Sequence, residues 1–254
     1  AERSEAVKVP PTTEGKHFIA NSDQLVDHKT PQIVMNVKKN MDTDSDTASL
    51  QQRAPVKAPE AKNASSSSHT VTMPQLTAKV QKVYNDLNGL DIRSKAEDKS
   101  NTNPLVGPIL LNGDEIYEGQ MKDGKKDGYG KQVWTKNNSY YEGGFKNDKT
   151  HGYGILIQDS GDYYIGNWKE GKADGYGEVY GNDGVTYKGN WKNDKQEGEG
   201  EERFSDGSHY KGGFHEGLKS GKGKLVWSDG TSYEGEFKNN LQEGKGVFVD
   251  KSGK

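Results

Sequence analysis

Six tyrosines come into register when the chain is slid against itself: Tyr117, Tyr141, Tyr164, Tyr187, Tyr210 and Tyr233, at spacings of 24, 23, 23, 23 and 23 residues. Each stands two residues before a glycine. Eleven residues after each, a Gly-x-Gly begins, at Gly128, Gly152, Gly175, Gly198, Gly221 and Gly244. A constant short period is the mark of a repeat array, in which a unit too small to bury its own apolar face stacks on copies of itself. The unit is clearest between Tyr141 and Gly154, YEGGFKNDKTHGYG.

Within each unit Tyr-x-Gly-x-aromatic places positions 1, 3 and 5 on one face of a strand. The fifth position is Met121, Phe145, Trp168, Trp191, Phe214 and Phe237. Intervening positions such as Glu142, Lys188, Lys211 and Glu234, then Lys122, Lys146, Lys169, Lys192, His215 and Lys238, are mainly polar. One aromatic face and one wet face predict antiparallel strands. Seven residues after each tyrosine come Gly124, Asp148, Gly171, Asp194, Gly217 and Asn240, residue types that tolerate positive φ, so a hairpin turn is expected there. The Gly-x-Gly enters the return strand, where glycine is costly unless something approaches the backbone, and the neighbouring rings are the expected occupants.

A second turn follows each return strand, written NG at Asn112-Gly113, DSG at Asp159–Gly161, NDG at Asn182–Gly184, and SDG at Ser205–Gly207 and Ser228–Gly230. In the second copy it is Asn137-Asn138, and the extra residue behind the spacing of 24 predicts a bulge or a longer turn between Gly130 and Tyr141. Val106–Leu111 reads as the return strand of a missing preceding unit, able to cap the array. Gly253 takes the turn position of the sixth unit, and no further domain is expected to carry an activity.

The arrangement Tyr-x-Gly-x-Trp/Phe-x-x-Gly-x-x-x-Gly-x-Gly at this period resembles the MORN (membrane occupation and recognition nexus) repeat. The likeness covers about residues 107–254 and is strongest at YEGGFKNDKTHGYG and YKGNWKNDKQEGEG. Met121 departs from it at the aromatic position and Asn240 at the turn glycine. The resemblance implies an all-β fold: a single elongated twisted antiparallel sheet of six successive β-hairpins, with an aromatic, glycine-lined groove. It also implies a cytoskeletal setting for some members, including cilium and flagellum components such as the radial spoke head of the axoneme.

Ahead of the repeats the texture is different. Residues 1–72 are rich in Ser, Thr, Lys, Pro, Asn and Asp, with apolar islands at Phe18-Ile19, Leu25-Val26 and Ile33–Met35, and read as a tail disordered alone or ordered by a partner. Pro55–Ser68 reads as a linker. Asp42, Asp44 and Asp46 have the opening spacing of a calcium loop, but Thr47 stands where the turn glycine belongs and Arg53 where the bidentate glutamate belongs. Leu76, Val80, Val83, Leu87 and Leu90 share one face of an amphipathic helix over 73–90, with Thr72 and Gln75 as a capping box, Pro74 in the first turn and Gly89 at the C-cap. Its apolar stripe must pack on the sheet or on another protein. Residues 91–104 read as a polar linker to the array at 105–254.

Apolar and charged residues each make up 29% of the 254 residues and the net charge is −3, so a thick core is not expected and nucleic acid is not the expected partner. There are no cysteines, which excludes disulfides and thiolate metal sites. No segment has the apolar length of a membrane span or a secretory signal, Ala1 is read as following a removed methionine, and cytoplasmic residence is the default. The Gly-x-Gly pairs lack the third glycine and the helix of a nucleotide loop, and His151, His209 and His215 lack the paired spacing of a zinc site. No cofactor, metal site or catalytic group is therefore expected.

Those exclusions leave a non-enzymatic scaffold. It is expected to bind other proteins through the aromatic groove, formed by the six tyrosines with Met121, Phe145, Trp168, Trp191, Phe214 and Phe237, through the tail and helix, and by sheet-edge pairing or self-association near Val247–Val249. The alternative is a phospholipid-headgroup module using Lys122, Lys146, Lys169, Lys192 and Lys238. The acids beside those lysines weaken their field.

Overall fold

The computed structural model describes residues 71–87, 90–111 and 113–253. The three aspartates at 42–46, the apolar islands, residues 1–70 of the tail, Gly89 and Asn112 lie outside the described residues.

The array is one antiparallel sheet of thirteen strands in sequence order. β1 (Leu105–Leu111) is followed by six hairpins: β2 (Glu115–Lys122) with β3 (Lys125–Trp134), β4 (Ser139–Lys146) with β5 (Lys149–Ile157), β6 (Tyr163–Lys169) with β7 (Lys172–Tyr180), β8 (Thr186–Lys192) with β9 (Lys195–Arg203), β10 (His209–His215) with β11 (Leu218–Val226), and β12 (Ser232–Lys238) with β13 (Leu241–Val249). Every strand pairs with its neighbours in sequence, and β1 and β13 do not meet, so the sheet is open. At about 4.8 Å per strand it extends roughly 58 Å along the hydrogen-bonding direction.

The tight turns are type I′. The expected second turn residues do have positive φ, from 69° to 84°, and so do the residues before them: Asp123, Asn147, Glu170, Asn193, Glu216 and Asn239, at 48° to 52°. This geometry matches the twist of a two-residue hairpin. Each turn after the first is latched to the preceding hairpin. The Asp194 amide donates to the Ala173 carbonyl at 3.0 Å while Asp194 Oδ1 accepts from the Ala173 amide at 2.8 Å. Asp148 makes the same double contact with Lys126, and Asn240 with Lys219. Gly171 and Gly217 keep the backbone half alone. Stacking is thus written into the turns as well as the strands.

The extra residue of the second unit adds a ladder pair, Trp134 to Ser139, and the chain closes through Thr135–Asn138 with Asn138 at φ 53°. Neither a bulge nor a longer turn absorbs it: the ladder lengthens by one pair and the connection shortens to four residues, against five at 158–162 in the next unit. β1 caps the array as expected, its Val106, Ile109 and Leu111 packing on the aromatic core, with the register shift falling at Gly107-Pro108. Proline cannot donate to a ladder, and an irregularity on an edge strand is where it fits.

Two elements lie across the other face. α1 (Ala78–Asp86) begins five residues later than the capping box predicts: residues 71–77 are extended and Thr77 is the N-cap, without a side-chain cap. Pro74 disfavours helical geometry at Met73, and the extended residues bury Met73 and Leu76 against the sheet instead. α2 (Ile92–Ala96) occupies what was read as a polar linker. It is capped by Asp91, whose Oδ1 accepts from the Ser94 amide at 2.9 Å, and it buries Ile92. Both helices cover Val133, Tyr140, Ile155, Ile157 and Ile165 of β3 to β6. The second face is therefore apolar and covered along those strands, not wet throughout.

Candidate partner-binding surfaces

The tyrosine of each unit folds over two facing glycines. Gly143 on β4 pairs with Gly154 on β5, and a Cβ on Gly154 would fall inside the Tyr141 ring. Gly152 serves differently. It has open space about it and φ of 73°, and it lies where the β4–β5 register shifts, so it supplies a backbone conformation and clears no room for a ring. The expectation that both glycines make room for rings holds for the second alone.

With the ring so placed, each hydroxyl donates to the carbonyl three residues on, from Tyr117 to Gln120 at 2.7 Å through Tyr233 to Glu236 at 3.2 Å. Burial raises the hydroxyls of Tyr117, Tyr141, Tyr164, Tyr187 and Tyr210 above the ordinary tyrosine range. Each ring from Tyr141 to Tyr210 meets the aromatic of its own unit and that of the next edge-to-face, while Tyr117 meets Phe145 of the next unit and Tyr233 meets Phe237 of its own. Tyr164 lies 5.0 Å from Trp168 and 5.6 Å from Trp191, and the same zigzag runs from Tyr117 to Phe237. The indoles of Trp168 and Trp191 donate to the Gly154 and Gly177 carbonyls at 3.2 and 3.1 Å.

The structure brings all twelve residues of the expected groove into one cluster, but as a core. The six tyrosines, Phe145, Trp168, Trp191, Phe214 and Phe237 are all buried, and Met121 is partly buried against them. Edge-to-face packing and the facing glycines consume the rings' surface, so the row is corrected from an exposed groove to an internal ladder. Two lysines lie inside it. Lys126 bonds Gln132 at 2.7 Å and Glu115 at 3.3 Å, with the Tyr117 and Phe145 rings within 5.9 Å. Lys219 pairs with buried Glu202 at 2.5 Å and faces Phe204, Tyr210 and Phe214.

Of the expected helix stripe, Val80 is fully buried, Leu76, Val83 and Leu87 pack beside it, and Leu90 is exposed. These residues dock on the chain's own sheet. Their receptor was not foreseen, though its signal is present: Val133, Tyr140, Ile155, Ile157 and Ile165 are apolar at positions out of phase with the tyrosines and cluster on β3 to β6. Beside them, buried Glu142 accepts from the hydroxyls of both Tyr129 and Tyr140, the latter at 2.6 Å. From β8 onward this face turns charged, with ion pairs such as Lys188–Glu178 at 3.0 Å and Lys224–Glu234 at 3.2 Å.

The exposed apolar residues concentrate at the sheet edges: Leu105 and Leu110 on β1, and Leu241, Val247 and Phe248 on β13. The lysines at the hairpin ends are exposed beside acids. Lys149 pairs with Glu170 at 3.2 Å, and Lys195 pairs with Glu216. His215 contacts Glu197, and among the described residues no cluster of His, Asp or Glu could hold a metal ion.

Six consecutive matches to the MORN repeat family cover residues 117–139, 141–163, 164–186, 187–209, 210–232 and 233–254. The chain is a MORN-repeat protein. Each family match begins on one of the six register tyrosines, so the repeat boundary falls at the ring that seats on the glycine pair. MORN repeats are a non-enzymatic module associated with protein or phospholipid interactions. A search of curated proteins returns no match. Solved structures that match include the TCP domain of SAS-4 (dCPAP) of Drosophila melanogaster in complex with a proline-rich motif of Ana2 (dSTIL), 14% identical over 63% of this chain and 92% of that chain, with a TM-score of 0.31, too low to bear on the fold. No helix among the described residues of the MORN-repeat chain is long and apolar enough to cross a membrane.

Proposed function

We propose that this MORN-repeat chain is a non-enzymatic scaffold that binds protein segments along its sheet. The observation that carries the reading is the docking of α1 and α2: the second face already accepts an amphipathic segment, and it continues past the helices uncovered. The exposed strand β13, with Leu241, Val247 and Phe248, adds an edge suited to strand pairing, including with a second copy. A cytoskeletal or axonemal assembly, and with it a cytoplasmic location, rests on the likeness to ciliary members of the family.

The second reading is a phospholipid-headgroup module, favoured by Lys149, Lys169, Lys172 and Lys192 around one shallow depression. Glu170, Asp174 and Glu197 line the same depression and offset its field. Two measurements separate the readings. Crosslinking of the full chain in native extract, with photoreactive groups placed in turn on the second face, on β13 and at the hairpin ends, is expected to give protein adducts from the first two positions. Sedimentation with anionic vesicles at physiological salt is expected to leave the chain in solution. Vesicle binding with no protein adducts would replace the scaffold reading by the lipid one.

A further inference from the structure

The residue between the two glycines of Gly-x-Gly forms a row across the second face: Tyr129, Tyr153 and Tyr176, then Glu199, Lys222 and Lys245. The chain itself sets cations on the first two. Arg93 of α2 stands 5.3 Å from the centre of the Tyr129 ring, and Lys95 stands 5.1 Å from that of Tyr153. A cation over a tyrosine face at this range is attracted by the ring's negative face. α2 ends at Ala96, and the third ring is left open: Tyr176 is 51% exposed, and no cation lies over it among the described residues.

The charges about Tyr176 are those a cation requires. Its hydroxyl contacts Glu178 at 3.4 Å, and the carboxylates of Glu178 and Glu201 both act electrostatically on that hydroxyl. The next member of the row, Glu199, is exposed and has no ion-pair partner among the described residues. Lys188 also acts on the Tyr176 hydroxyl, but it pairs with Glu178 over the Tyr180 ring, and Arg203 pairs with Glu201, so the uncompensated acid of the row is Glu199. Asn190, paired in register with Tyr176, adds no charge.

We propose that Tyr176, with Glu199, is the seat for an arginine or lysine of a partner protein's basic segment, which continues across the sheet the row that Arg93 and Lys95 begin. The occupant is a peptide and not a membrane, because the acids here repel an anionic headgroup. The inference deepens the scaffold reading and rests on it.

The test is a chemical-shift titration of the isotope-labelled full chain with a blocked peptide copying Asp91 to Glu97, against a control peptide with both basic residues replaced by glutamine. The unaltered peptide, net neutral because Asp91 and Glu97 offset its arginine and lysine, is expected to shift Tyr176 and Glu199, with affinity about three- to five-fold above the control, the size of one exposed cation–ring contact. Tyr176→Phe should keep the effect, since the ring face is retained. Tyr176→Ala, at an exposed position that leaves the fold intact, should abolish it, and Glu199→Lys should weaken it. Equal shifts with the control peptide, shifts confined to Tyr129 and Tyr153, survival of the effect in Tyr176→Ala, or no shift at all would overturn the proposal. Protein adducts that form in extract with Tyr176→Ala as well as with wild type would remove this seat and leave the scaffold standing.

Discussion

A tyrosine seated on two facing glycines is the smallest piece of this molecule that determines its neighbours. The ring takes the room that side chains would need, so the glycines are fixed by the tyrosine and the tyrosine by the glycines. At Tyr164 the facing pair is Gly166 and Gly177, and a Cβ on Gly177 would overlap the ring and its hydroxyl. Gly177→Ala is therefore expected to cost about 3 kcal/mol in chemical denaturation, the upper end for overpacking. Tyr164→Phe should cost only about 1 kcal/mol, the value of the hydroxyl's bond to the Asn167 carbonyl. In a Tyr164→Leu background most of the Gly177→Ala penalty should vanish, and additive penalties would show that the ring is not what excludes the methyl. The same buried hydroxyls set an alkaline limit. Their folded values are raised, so the folded chain holds protons that the unfolded chain releases above about pH 10. Stability is whole below that pH and falls as pH rises, by about 1.4 kcal/mol per unit for each such group. Phenolate absorbance from these five tyrosines should appear together with loss of the β-sheet signal; its completion in an intact sheet would contradict their burial.

At the scale of the element, hairpins and helices depend on different information. The hairpins were legible from sequence because turn chemistry repeats at a fixed offset: Gly124, Asp148 and their equivalents, with Gly161, Gly184, Gly207 and Gly230 at the wider turns, all have positive φ. The aromatic positions were legible too, but their burial was not. A single-layer sheet suggests exposed rings, and only the edge-to-face geometry between consecutive repeats shows that they cover one another. The start of α1 was not legible, because Thr72, Pro74 and Gln75 mimic a helix N-terminus while Met73 and Leu76 gain more by lying extended on the sheet. A nine-residue helix has little stability of its own, so α1 exists because Val80 is buried. Val80→Asp should release residues 71–104 to limited proteolysis and open Ile155, Ile157 and Ile165 to an apolar dye, with the sheet's circular dichroism retained. An unchanged cleavage map would mean that α2 and Ile92 hold the segment without α1.

For the whole molecule the consequence is a gradient. Each hairpin touches chiefly the hairpins beside it, so local stability reflects how much each unit and its two interfaces bury. β4 and β5 are packed on both faces, by the ring ladder on one side and by the helices on the other. From β8 onward the ladder alone remains buried, and β13 is exposed along nearly all its length. Opening by fraying from β13 inward therefore exposes less apolar surface than opening anywhere near β4. Hydrogen exchange followed by mass spectrometry should show amides of β12 and β13 exchanging first, those of β8 to β11 next, and those of β4 to β6 last. The order has a second check. Val80→Asp removes the cover from one face only, so it should speed exchange in β4 to β6 while leaving β10 to β13 as in the wild type, moving the most protected region toward β7 and β8. One common rate across all thirteen strands would show instead that the latches from each turn to the preceding hairpin, such as Asp194 on Ala173, couple the array into a single cooperative unit.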